Sequence, residues 1–462
     1  MRHRVTRRPR DGHLPLSCSQ ERLWFILRLH PDIRAYQFQA TIALTGKLDT
    51  GALREALTEV VRRHEIFRTT FADSRDGPRQ IVHPPFPVDL PLDDVSEQPD
   101  SERAARRALD EAVDVDIPVD RLPLIRWRLV RLADDRHVLL HLEHHLIHDG
   151  WGFNVFLAEL SELYRAYASG QPSPLSEPEL QFADFAAWQQ DWVRGPSAQR
   201  QLDYWRRRLD GVPHLVDLPT DHPRTPARRF AGAAPRFVVR AELADRLREL
   251  ARRERVSLFV VMLAAYAVLL RDWSGKEDFC VASGVAARHA PETERMLGMI
   301  VNTVALRTDL RADPAFPELL RRVRDTTFGA LEHQDVPFDQ VVAALRPRRQ
   351  PGRQLLSDVA FSFHDSPLRT VEMPDLRAEV TVGMSNHTAK FDLSVIAIPE
   401  AEQAAGQPGR AVPGEVELIW EYDTDLFDAA TIARMADRYD RLLTAVVADP
   451  QARLSTLIER AS

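Results

Sequence analysis

Between residues 124 and 170 the hydrophobic period changes once, and that change restricts the fold more than any other feature of the chain. LIRWRLVRLADDRHVLLHLEHH (124–145) alternates apolar and polar residues, as two strands joined by the polar turn Ala133–Arg136 would. After Gly150 the residues Phe153, Phe156, Leu157, Leu160, Leu163, Tyr164 and Tyr167 recur at helical spacing, and Gly170 closes the run. A strand therefore hands over to a helix within HLEHHLIHDGWG (141–152), where four of the chain's sixteen histidines lie. Asp149 is placed to cap the helix that starts near Trp151.

A chain of 462 residues is too long for one ordinary core, so two lobes are expected. GALREALTEVVRRHE (51–65) has a helical apolar face and leads into a strand, IFRTTF. The Pro-rich stretch 171–180 is read as the lobe boundary. It gives an N-terminal lobe over 12–178, a C-terminal lobe over 179–458 and a disordered basic tail over 1–11. The second lobe should begin with helices at 182–193 and 201–209 and an extended, proline-containing crossover at 216–232. Helices at 242–254, 257–271 and 314–332 and strands at 278–285 and 300–308 follow. Strands in AEVTVGMSN and KFDLSVIAI and a closing helix at 426–449 complete it. No internal repeat is visible. The mixture predicts an α/β protein built as two sandwiches.

Composition removes several classes. The net charge is −7 and the arginines are scattered, so no basic stripe invites nucleic acid. Two cysteines, Cys18 and Cys280, cannot staple a fold of this size, which fits a reducing cytoplasm. Arg7-Arg8 has no apolar stretch behind it and is not read as an export signal. The longest apolar run, Leu258 to Leu270, is too short to span a bilayer and reads as a buried helix. No Gly-rich phosphate loop stands out.

The histidine cluster admits three readings. On a helix, His144 with His148 and His141 with His145 would have metal-ligand spacing, but Val138 to Glu143 alternates like a strand and defeats that geometry. As polar groups satisfied at a strand end, His141 and His148 need no further role. As catalytic groups, His144-His145 and Asp149-Gly150 would sit on a rigid strand-to-helix turn. An imidazole there accepts a proton near neutral pH, its ordinary pKa being about 6.5. Gly150 would let substrate or backbone approach closely.

His144-His145-Leu-Ile-His-Asp149-Gly150 resembles the HHxxxDG motif of the condensation domains of nonribosomal peptide synthetases. LPLSCSQERLWFI (14–26), RHEIFRTTF (63–71), FADFAAWQ (182–189), LGMIVNTVALR (297–307), EHQDVPFDQVV (332–342) and WEYDTDLFDAATIARM (420–435) resemble further motifs of that family, in order, over roughly residues 14–455. Cys18 and Gly152 depart from it, a small residue and a serine being common there, and His148 lies just before Asp149.

The resemblance implies a chloramphenicol acetyltransferase-like fold, two lobes in a V-shaped pseudo-dimer with a tunnel between them. It implies a free-standing acyltransferase, monomeric and cytoplasmic, acting in natural-product biosynthesis. The donor would be an acyl or aminoacyl thioester on the phosphopantetheine arm of a carrier protein. The acceptor, small or carrier-bound, would be an amine or a hydroxyl. The thioester is already activated, so no metal or other bound cofactor is expected, and neither a nucleic acid nor a membrane is a partner. His145 is the expected catalytic residue, with His144, Asp149, Gly150 and Arg288 supporting its turn. Arg288 is the expected ion-pair partner of Asp149, and Arg68 the alternative. Trp151 is expected to pack, and Asn302, Thr303, Gln334, Asp335, Pro337 and Phe338 to be architectural. The other readings kept are a coenzyme A-dependent acyltransferase of the same fold, an epimerisation domain and a non-catalytic recruitment module.

Overall fold

The computed structural model describes residues 4–31, 33–213, 215–348, 350–364, 372–373, 375–382, 385–400 and 414–462. The chain divides into two compact units. The first holds residues 1–195 with two later segments, 286–301 and 368–386; the second holds 196–285, 302–367 and 387–462.

The first unit is built on a six-stranded sheet. Its order is Glu372–Met373, Leu376–Val382, Gln37–Gly46, Arg136–His144, Ile125–Ala133 and Leu92–Asp94. Only the last pair is parallel. The hairpin 125–144 forms as its alternation predicts, and the alternation divides its side chains between two cores. Trp127, Leu129 and Leu139 pack with Phe153, Phe156 and Leu160 of the helix Gly150–Ala168 and with Leu53, Leu57 and Val60 of the helix Thr50–Arg63. Val130, Leu132 and Leu140 pack with Ala104, Ala105 and Leu109 of the helix Ser101–Val113. Each of these three helices begins on an aspartate, Asp149, Asp49 and Asp100, whose side chain accepts a backbone N–H of the first turn.

The opening segment, expected to be a loose tail, packs instead. Val5 is buried. The Arg8 backbone donates to Asp184 Oδ1 at 2.8 Å. Arg10 joins Asp184 and Glu65, each at 2.7 Å. The Asp184 carboxylate is 0% exposed, and a buried charge needs a cation to balance it. Two arginines of the expected loose tail, Arg8 and Arg10, therefore have a destination on the helix Phe182–Trp192.

The second unit carries a mixed seven-stranded sheet in the order Asn302–Asp309, Asp278–Val285, Val359–Phe363, Leu393–Pro399, Val416–Asp423 and Gly232–Ala233, with Arg236–Val239 also paired to Val416–Asp423. The helix Leu258–Ser274 is capped by Ser257 and Gly275 and is buried without a break from Val260 to Leu270. Among the described residues no single helix is long and apolar enough to cross a membrane. Asn302 uses its whole amide: Nδ2 donates to the carbonyls of Gln334 and Val336, and Oδ1 accepts from the N–H of Thr303 and Phe338. It stitches a strand to the turn that opens the helix Phe338–Leu345. In AEVTVGMSN the strand ends at Val382, and Gly383 and Met384 lie outside the described residues.

Candidate active site

The strand Arg136–His144 and the helix Gly150–Ala168 are joined by a single tight turn, His145–Ile147, and then His148 and Asp149. The turn is held from several sides. His145 N–H donates to Tyr36 O at 2.8 Å, and His148 N–H to His145 O at 3.2 Å. Leu146 N–H donates to His144 Nδ1 at 3.0 Å, and Leu146 O accepts from Gln20 Nε2 at 2.7 Å. Gln20 also closes the capping box of the helix Cys18–Leu29, so the LPLSCSQERLWFI segment is tied to the histidine turn through one amide.

His144 is buried, and burial alone pushes its imidazole down to about 3. It is a neutral ring whose Nδ1 serves the backbone. His145 is half-buried, and its ring stands nearly perpendicular to those of Tyr36 (6.3 Å between centroids, 79°) and His148 (5.3 Å, 77°). A Cβ added at Gly150 would meet nothing within 4 Å, so the space in front of this glycine is open.

Asp149 is fully engaged. Oδ1 accepts from Gly152 N–H (2.6 Å) and Arg288 Nη2 (2.8 Å); Oδ2 accepts from Ile300 N–H (2.7 Å) and the same Nη2 (2.7 Å). Arg288, 2% exposed, also donates through Nη1 to the carbonyls of Thr293 and Met296. The pair thus binds the segment 286–301 to the helix start. Arg68, the other partner weighed for Asp149, donates instead to His83 O. Arg68 ends the short turn Glu65–Arg68, just before the strand Thr69–Ala72 that pairs with Arg79–Val82. Trp151 is 39% exposed, and its indole N–H donates to Glu294 O at 2.8 Å.

A second buried network lies behind the turn. Trp127 Nε1–H donates to His141 Nδ1 at 3.0 Å. An indole can only donate, so His141 Nδ1 accepts and its Nε2 carries the hydrogen. That hydrogen goes to Glu143 Oε1 at 2.9 Å, and His148 Nδ1 donates to the same oxygen at 2.5 Å. Burial alone would raise the Glu143 carboxyl, but His148 and the hydrogen bonds from both rings outweigh it and hold the group at about 2. Phe38 stacks on His148 with centroids 3.8 Å apart and an interplanar angle of 16°. His141 and His148 are therefore satisfied polar groups of the strand end.

The motif reading groups His144, His145, Asp149, Gly150 and Arg288, places Gln20 in the opening motif without a role at the turn, and does not find Glu143, Trp127 or Phe38. The signal for Glu143 was present: a carboxylate on the buried parity of a strand, two residues from one histidine and five from another.

A family model for the condensation domain matches residues 10–459. Chondramide synthase cmdD of Chondromyces crocatus is 40% identical over 451 residues, 97% of this chain and 11% of that protein. Malpinin synthetase of Mortierella alpina is 35% identical over 447 residues, 97% of this chain and 6% of its own length. The chain thus spans about a tenth or less of these two relatives. A solved structure described as the complex of the X-domain and OxyB from teicoplanin biosynthesis is 27% identical with a TM-score of 0.85, covering 99% of this chain and 98% of the matched one. With the HHxxxDG turn in place and a family match over nearly its whole length, this chain belongs to the condensation-domain family.

Proposed function

We propose that the chain is an acyltransferase that moves an acyl or aminoacyl group from a carrier-protein phosphopantetheine thioester to an amine or hydroxyl, with His145 as the catalytic residue. In the amide-forming case the acceptor nitrogen attacks the thioester carbonyl, the C–N bond forms and the C–S bond breaks. One proton passes from the amine to the departing thiolate. His145 orients the nucleophile and receives that proton on the way; His144, Asp149, Gly150 and Arg288 hold the turn. A thioester is already activated, so the reaction draws on no metal or nucleotide. We place the enzyme in the cytoplasm as a monomer, its two cysteines buried and not joined in a disulfide.

One observation carries this reading. A half-buried histidine stands on a turn whose backbone is pinned by Tyr36, His144 and Gln20, five residues before the exposed Gly150. A histidine carried on a backbone fixed in advance suits orienting a nucleophile and taking its proton. The test is product formation by wild type and His145→Ala with aminoacyl-loaded peptidyl carrier proteins as donors and free amino acids or amino alcohols as acceptors. General-base and positioning losses predict a drop of at least about a hundredfold in the folded variant. Activity within about threefold of wild type, far less than the loss of a general base costs, would remove His145 from the mechanism.

A second reading has one observation in its favour. The X-domain neighbour is described in complex with another protein, OxyB. A recruitment module would bind its partner equally well with His145→Ala and would form no product with any donor.

A further inference from the structure

The backbone hydrogen bonds of the turn fix where His145 begins, and its ring still has two torsions to set. Among the described residues its ring meets Tyr36 and His148, and of these two His148 is the nearer. His148 is itself immobilised on both sides. Its Nδ1 is tethered to Glu143, and its face is stacked on Phe38. Glu143 is fixed in turn by His141, and His141 by Trp127. His148, Glu143 and His141 are 4%, 2% and 0% exposed, so the whole row is solid core.

We propose that His148, tethered by Glu143 and clamped by Phe38, is a positioning residue that sets the orientation of the His145 imidazole. The inference rests on the role proposed for His145. A polar row of this kind is costly to bury, and an apolar strand end would fold as well or better. The Glu143 Oε2 atom is buried with no hydrogen-bond partner among the described residues, which raises that cost further. What the row gives in return is a rigid imidazole whose centre lies 5.3 Å from that of the His145 ring, with the two planes at 77°. A supporting ring locked by its own hydrogen bond is the arrangement that holds a reacting side chain to within a fraction of an ångström.

The variants are chosen around the buried carboxylate. His148→Ala alone strands Glu143 and risks the fold. Glu143→Gln/His148→Leu leaves no stranded charge, because the amide oxygen still accepts from His141. Glu143→Gln alone is the conservative variant, its oxygen accepting from both rings. Two readouts are taken. One is kcat and KM with an aminoacyl-loaded carrier protein donor and a free amine acceptor. The other is the 15N spectrum of histidine-labelled protein without substrate, the His145 ring signals being assigned by their loss in His145→Ala.

The expected result is a fall in kcat of about tenfold or more for the double variant, with KM within about threefold, and displaced His145 ring signals. Glu143→Gln should keep kcat within about threefold and leave those signals in place. If the double variant keeps kcat and unmoved His145 signals while His145→Ala is inactive, the positioning role is wrong and the catalytic reading stands. If His145→Ala is active, the catalytic reading falls, and unmoved or displaced ring signals still decide whether His148 orients its neighbour. A double variant that loses thermal stability but keeps the His145 spectrum assigns the row a purely structural role and overturns the proposal.

Discussion

Asp149 shows how much one side chain can hold. It caps a helix, accepts the Ile300 N–H and pairs with the guanidinium of Arg288, whose side chain is 2% exposed. Asp149→Ala should remove about 1 kcal/mol for the cap and about 3–5 kcal/mol for the stranded Arg288, with imperfect additivity because the two share one carboxylate. His145→Ala, at a half-buried position, should cost under about 1.5 kcal/mol. Urea unfolding of the two variants checks this, and equal midpoints would show that Asp149 is not structural. His144 gives a pH signature. Its folded imidazole lies at about 3, below the ordinary 6.5, so the unfolded chain binds the proton more readily. Above pH 6.5 nothing is lost; as pH falls from 6.5 toward 3, stability declines by up to about 1.4 kcal/mol per unit. Glu143 acts in a lower window, as does Glu159 of the helix Gly150–Ala168, where burial is outweighed by the hydrogen bonds and charges of His64 and Arg63; both are held at about 2. Their contribution is present above the ordinary 4.5 and is lost as pH falls toward 2. His144→Asn, which keeps an acceptor for Leu146 N–H, should therefore flatten the decline between pH 6.5 and 4.5. Unchanged slopes in that window would place the protonation elsewhere.

Elements meet at the histidine turn through small contacts that leave little slack. Gly298, in LGMIVNTVALR, has φ +137° and lies against Phe182 of FADFAAWQ; a Cβ there would come within 2.1 Å of the ring. Two of the sequence motifs are thus a glycine and the aromatic that needs its bareness. Gly298→Ala combines a strained backbone, about 1–3 kcal/mol, with an overpacked contact of similar size. The expected outcome is a fall in unfolding midpoint larger than for Gly150→Ala, whose Cβ meets open space. Gly298→Ala/Phe182→Leu should recover part of the loss, and no recovery would show that the backbone conformation alone is responsible. The elements themselves were legible. The hairpin over 124–145 and the helix after Gly150 follow from the change of period, because each must bury one face. The packed segment 4–10 was not, since nothing local to an arginine-rich stretch says where its counter-charges lie.

At the scale of the molecule, the proposed donor is presented by a protein. A carrier-borne thioester and the same acyl group on coenzyme A share the pantetheine arm, so any preference must come from contacts with the carrier body. Carrier proteins are generally acidic, and a local group of arginines can attract one despite a net charge of −7. We expect kcat/KM to be at least about tenfold higher for the carrier-borne donor, and the advantage to shrink as salt is raised through a Debye length of about 10 Å at 0.1 M. Equal use of coenzyme A at every salt concentration would favour the coenzyme A-dependent alternative.

The sequence by itself determined the α/β class, the strand-to-helix handover at Gly150, the aspartate cap and the grouping of motifs that marks the family. The handover and the cap are local or periodic, written within about twenty residues, and the motif grouping is a series of such local patterns in order along the chain. Arg288 was reachable across 139 positions only through family resemblance, since no spacing rule joins it to Asp149. What tertiary structure alone decided is the set of partners of the buried polar groups: Glu143 between His141 and His148, Gln20 on Leu146, and Arg10 on Asp184. A buried charge or amide must be satisfied, and the sequence announces that need. Which distant atom satisfies it depends on how strands and helices pack, and no local pattern encodes that distance.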